Sequence, residues 1–105
     1  MASAPATTGA ATTLALPATL TLAQARQQTG VLEEALGRHS GAAVIIDASA
    51  LQAFDTSAIA VLLEAQRLAR AAGHTLSVSG APSSMVDLAQ LYGVAELLNF
   101  EAAPA

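Results

Sequence analysis

The stretch Val44-Ile45-Ile46-Asp47-Ala48-Ser49-Ala50-Leu51-Gln52-Ala53-Phe54-Asp55-Thr56-Ser57-Ala58-Ile59-Ala60-Val61-Leu62-Leu63 decides the fold. Its first residues continue the apolar, β-branched run Ala42 to Ile46, which predicts a strand covered on both faces. A short polar loop follows, and the Asp55-Thr56-Ser57 cluster then opens an apolar-periodic segment. A hydroxyl at a helix start sits where backbone N–H groups and the helix dipole favour negative charge. The segment therefore suits a phosphate, bound or covalently attached, and equally suits a plain helix cap.

Working outward, Ser57 to Ala72 is the strongest helix, with Ala58, Leu62, Ala65, Ala69 and Ala72 on one face. Gly73 stops it, and Thr75 to Ser79 alternates as a strand with Leu76 and Val78 inward. After the Gly80-Ala81-Pro82 break, Ser84 and Asp87 read as a capping box for a helix through Tyr92. Its inner stripe is Met85, Leu88, Ala89 and Tyr92, and Gly93 is its C-cap. Leu97, Leu98 and Phe100 close the domain as a short helix or strand.

On the N-terminal side, Ser40-Gly41 is a turn. A helix from Leu22 to Arg38 is expected behind a Thr21–Gln24 capping box, with Leu22, Ala25, Thr29, Leu32 and Leu36 on one face. Gly30 argues mildly against an unbroken helix. Glu34 and Arg38 form a surface pair worth about a few tenths of a kcal/mol. Thr13 to Leu16, closed by Pro17, suits an edge strand. The order is thus strand, helix, strand, helix, strand, helix, tail. That alternation implies an α/β fold, a mainly parallel sheet with helices in one domain. Functional surfaces of such sheets lie at the carboxyl ends of the strands, where the Asp47–Ser57 loop sits. Residues 1–11 read as a disordered or frayed tail, 12–101 as the domain and 102–105 as a C-terminal tail.

Composition narrows the function. The 105-residue chain is 53% hydrophobic, but 27 residues are Ala, so the core rests on its Leu, Val, Ile and Phe side chains. A net charge of −4, with four Arg and no Lys, leaves no basic patch for nucleic acid and no lysine for a phosphate loop or Schiff base. No Cys is present, and two His 35 positions apart make no zinc site. No apolar run reaches the length of a membrane span, and no export signal is visible, so a cytoplasmic location is expected. No cofactor or metal is called for.

A family resemblance rests on three stretches. Val44 to Ala58 has the pattern of three hydrophobic residues, Asp-x-Ser-x-Leu-x-x-Phe, then Asp-Thr-Ser-Ala. It resembles the STAS domain, the family of anti-sigma-factor antagonists and of STAS subunits of ABC transporters. The likeness continues through residues 60–73 and 88–98 and spans residues 13–100. The Leu91-Tyr92-Gly93-Val94 run with its double Leu is similar to the subfamily of lipid-asymmetry (Mla-type) transporters. The resemblance implies a STAS-like fold and a non-enzymatic subunit that binds and regulates the cytoplasmic ATPase of a phospholipid ABC transporter. Such a subunit sits at the inner membrane through its complex, without inserting. The alternative it implies is an anti-sigma-factor antagonist controlled by a serine/threonine kinase.

Carried over, the family's phosphorylatable position falls on Thr56, with Asp55 and Ser57 as flanking partner-binding residues. Asp47 matches the acidic residue ending the central strand and supports the loop. Two departures stand out. Ala58 replaces the Gly usual two positions after the phosphorylatable residue, and the family's N-terminal hairpin is reduced to one visible strand.

The residues also have plainer readings. Thr56 suits a helix cap, and Asp47 and Asp55 suit loop capping better than acid–base or Mg²⁺ chemistry, since no activating His or Lys accompanies them. His39 and His74, at helix ends, read as structural. Tyr92 reads as packing against the last strand or as an interface anchor. Arg67 and Arg70 read as a solvated face or as rim contacts to an acidic partner.

Overall fold

A computed structural model describes residues 12–38 and 43–101. The tails, His39, the Ser40-Gly41 turn and Ala42 lie outside the described residues. Three strands, β1 (Thr12–Ala15), β3 (Ala43–Asp47) and β5 (Thr75–Ser79), form a parallel sheet in the order β1-β3-β5. Two further strands, β2 (Thr19–Leu20) and β4 (Ala53–Phe54), pair parallel as a separate two-residue ladder. The helices are α1 (Leu22–Arg38), α2 (Thr56–Ala71), α3 (Ser83–Leu91) and α4 (Ala95–Leu98).

The strand order fixes the layers. Each crossover moves one strand in the same direction, so two right-handed crossovers place α1 and α2 on the same face of the sheet. The inner rows are Leu14–Ile46–Val78 and Thr12–Val44–Leu76, and between them runs the outward row Thr13–Ile45–Ser77. Val44, Ile46, Leu76 and Val78 are buried, whereas Ile45 and Ser77 are half-buried. The expectation of a central strand fully buried on both faces is therefore corrected. The apolar run alternates in burial because the described helices pack on one side.

Helix α1 runs unbroken through Gly30, since tertiary packing of Leu32 and Leu36 outweighs one residue of low propensity. Leu22 is the exception on its predicted inner face, being 76% exposed. On α2 the core stripe is Ala58, Ile59, Val61, Leu62, Ala65 and Ala69, and Ala72 lies exposed beyond the helix. The helix closes with paired C-terminal bonds, Gly73 N–H to the Arg70 carbonyl (3.1 Å) and His74 N–H to the Ala69 carbonyl (2.8 Å). The His74 ring joins this end to α1, with Nε2 3.1 Å from the Leu36 carbonyl oxygen.

The predicted Ser84–Asp87 box does not form. The cap lies two residues earlier, at Pro82, so that helix α3 starts at Ser83 with no side-chain cap bond. Proline's fixed φ suits the approach to a helix, and Pro82 offers its carbonyl to Met85 N–H. Tyr92 is 55% exposed and does not belong to the inner stripe, which keeps Met85 and Ala89. The chain end bridges the outer edge of β5 through Phe100 and Val78.

Candidate functional site

The site is assembled by the short β2–β4 ladder. Its register pairs Thr19 with Ala53 and Leu20 with Phe54. One step further along the same ladder, Thr21 and Asp55 stand level, each immediately before a helix. Leu20 is fully buried and Phe54 is packed against the core, so this register is anchored from below. The ladder is fixed at its start by Gln52 and Ala53 N–H groups, both donating to the Ala18 carbonyl (2.8 and 3.0 Å).

Asp55 is the N-cap of α2. Its Oδ1 accepts from the Ser57 N–H at 2.8 Å, and its Oδ2 accepts from the Leu22 N–H of α1 at 3.3 Å. The bond from the Ser57 amide, supplemented by that from Leu22, holds the Asp55 carboxyl below the usual carboxylate range. Thr56 is therefore not the cap. It is the first residue of α2, it is exposed, and its hydroxyl has no hydrogen-bond partner among the described residues. Ser57 is half-buried beside it.

Asp47 ends β3, as expected, and turns into its own loop. Its Oδ1 accepts from the Ser49 N–H at 2.9 Å, and the Ser49 hydroxyl and amide hold its carboxyl below the usual range. Asp47 and Asp55 share no hydrogen-bond partner among the described residues, so the structure does not join them as a pair. The loop after Asp47 lies tightly against the β5–α3 turn. Ala48 N–H donates to the Ser79 carbonyl (2.8 Å), and a Cβ on Gly80 would stand 2.9 Å from the Ser49 Cβ.

The other flank is open. A groove of about 660 Å³ runs between α1 and α2, lined by Leu22, Ala25, Gly30, Ser57, Ala60 and Val61. Arg26 and Glu33 stand along its α1 wall. Small residues make its walls low, and nothing lies within 4 Å of where a Gly30 Cβ would be. Sequence reasoning found the helix start but missed this groove. The signal available was Leu22, Ala25 and Ala60 on surfaces that a helical wheel alone assigns to the core or to solvent. A second groove of about 400 Å³ lies between α2 and α4, walled by Leu63, Arg70 and Leu97. Arg67 at its rim is paired with Glu64, Nε to Oε1 at 3.0 Å. Among the described residues no group of His, Asp or Glu is placed to hold a metal ion, and no helix is long and apolar enough to cross a membrane.

A family model described as "Mlab, STAS domain" matches residues 3–99. No curated protein matches the chain. Among solved structures, the STAS domain of the SulP transporter from Vibrio cholerae superposes with a TM-score of 0.69, covering 89% of this chain and 73% of that one. Sequence identity there is 17%, so that likeness speaks for the fold. With the family model covering nearly the whole chain and the α/β architecture matching, this protein belongs to the STAS domain family, whose members are protein-interaction modules found in transporters and anti-sigma-factor antagonists.

Proposed function

We propose that this chain is a non-enzymatic STAS subunit that binds the cytoplasmic ATPase of an ABC transporter and biases its assembly or nucleotide cycle, in a system that moves phospholipid. The observation that carries the reading is the open α1/α2 groove beginning at the exposed Thr56 helix start. A mostly apolar cleft with the hydroxyl residues Thr29 and Ser57 and the charged Arg26 and Glu33 on its walls suits the seating of a partner helix. Nothing in it supplies a nucleophile with an activating base. On this reading the docking surface includes Thr56, which stands at the groove's end next to Ser57 on its wall. Membrane association then comes through the transporter rather than through insertion.

Co-purification tests the reading. Tagged protein expressed in its native cell retains an ABC ATPase subunit, and Thr56→Arg, which places a long cation at the helix start, loses it. Recovery of no ATPase, or retention by Thr56→Arg equal to the wild type, contradicts the proposal. The exposed and unpartnered Thr56 hydroxyl also favours a second reading, an anti-sigma-factor antagonist phosphorylated there by a partner kinase. That reading requires a mass gain of one phosphate with kinase and ATP, abolished by Thr56→Ala.

A further inference from the structure

Asp55 has a role that its position beside Thr56 obscures. Helices α1 and α2 start side by side, and neither carries an acidic residue in its first turn. Two positive helix ends placed together repel, and each leaves N–H groups without intrahelical acceptors. Thr21 does not supply the missing acceptor to α1. Its hydroxyl donates to Gln24 Oε1 at 2.8 Å, and its N–H donates to the same oxygen at 2.9 Å. The capping box is therefore half-formed, and the Leu22 N–H goes to Asp55.

We infer that the Asp55 carboxylate is a clasp between the two helix starts, one oxygen on each, and that it sets the shape of the α1/α2 groove instead of contacting the partner. Leu22 and Ser57 both line that groove, so the two amides held by one carboxylate belong to its opposite walls. The β2–β4 register delivers Asp55 level with Thr21 and makes the span short enough to bridge. The clasp is a geometric fact of the free chain. Only its consequence for binding rests on the docking role proposed above for the groove.

Asp55→Asn separates the two halves of the clasp. Asn caps α2 as well as Asp does, but its second group is an NH2, which meets the Leu22 N–H donor to donor. The charged side chains on the neighbouring elements are Arg26, Glu33, Glu34 and Arg38 on α1, Glu64, Arg67 and Arg70 on α2, and Asp47 at the end of β3. None of them contributes to the Asp55 shift, which the Ser57 amide dominates, with the Leu22 amide and the Ser57 hydroxyl adding to it and desolvation opposing it. In two-dimensional amide NMR of the free wild type, the Leu22 and Ser57 resonances move together on acidification, with one midpoint below the usual carboxylate range. In free Asp55→Asn both titrations vanish, and the groove amides of Ala25, Gly30 and Ala60 shift while the α2 start holds. Affinity for the ATPase subunit falls roughly tenfold. A Leu22 amide that does not follow Ser57, or groove amides unmoved in free Asp55→Asn, overturns the clasp. Unchanged affinity of Asp55→Asn beside loss in Thr56→Arg overturns the positioning role and leaves the docking surface standing. If neither variant alters binding, the docking reading fails, and the free-protein spectra still decide the clasp.

Discussion

Gly80, just after β5, and Gly30, in the middle of α1, have opposite surroundings. A Cβ on Gly80 would meet Ser49 at 2.9 Å, and the residue holds φ at +68°. A Cβ on Gly30 would meet nothing within 4 Å, and its backbone is ordinary helix. The first glycine serves packing, because it lets the β5–α3 turn close on the loop after Asp47. The second carries a propensity cost with no internal contact to justify it. It lines the open groove, so the contrast separates a surface closed by packing from one left open.

The comparison can be broken by substitution. Gly80→Ala carries the largest expected effect. Left-handed strain and the collision with the Ser49 backbone together cost about 3 kcal/mol, lowering Tm by more than about 10 °C in a thermal melt. A change of a degree or two would mean that the two loops separate easily.

Asp55→Asn gives a smaller, pH-dependent effect. The folded-state pKa of Asp55 is depressed, so its contribution is present above the unfolded value of about 3.9 and is lost as pH falls through the folded one. The Tm gap between wild type and Asp55→Asn is therefore expected at pH 7 and closes below about pH 4. A gap constant over that range would remove the carboxylate from the account.

Gly30→Ala sharpens the comparison from the other side. It raises stability by about 0.5–1 kcal/mol through helix propensity and weakens ATPase binding by adding a methyl to the groove. A variant that is more stable and binds as well as the wild type would show that the partner does not approach α1 there. The smallest effect is expected from Glu34→Gln. It breaks the 3.5 Å pair with Arg38, in which both side chains are solvent-exposed, and should leave the melt unchanged.

The main α/β order was legible in the sequence because its signals are long. The 17 residues of α1 and the 16 of α2 carry a helical period, and β5 alternates strictly. The Asp55-Thr56-Ser57 cluster marked the start of α2 because all three residue types favour a helix N-terminus. The two-residue strands β2 and β4 were invisible, since two residues have no period. That omission hid the pairing that brings Leu22 to Asp55 across 33 positions of chain. The cap was also placed one residue late. In a row of three good capping residues, propensity does not choose, and the ladder register does. Tyr92 and Leu22 matched the helical stripe yet lie outside, because a helix end projects beyond the sheet that covers its middle.

The most direct measurement is amide NMR mapping of the isotope-labelled protein titrated with the purified, unlabelled ATPase subunit. The account predicts that perturbations and line broadening concentrate on Leu22 to Glu33 and Thr56 to Val61, the two walls of the groove. Perturbations centred instead on Leu63, Arg70 and Leu97, or on the outward row Thr13–Ile45–Ser77, would contradict it.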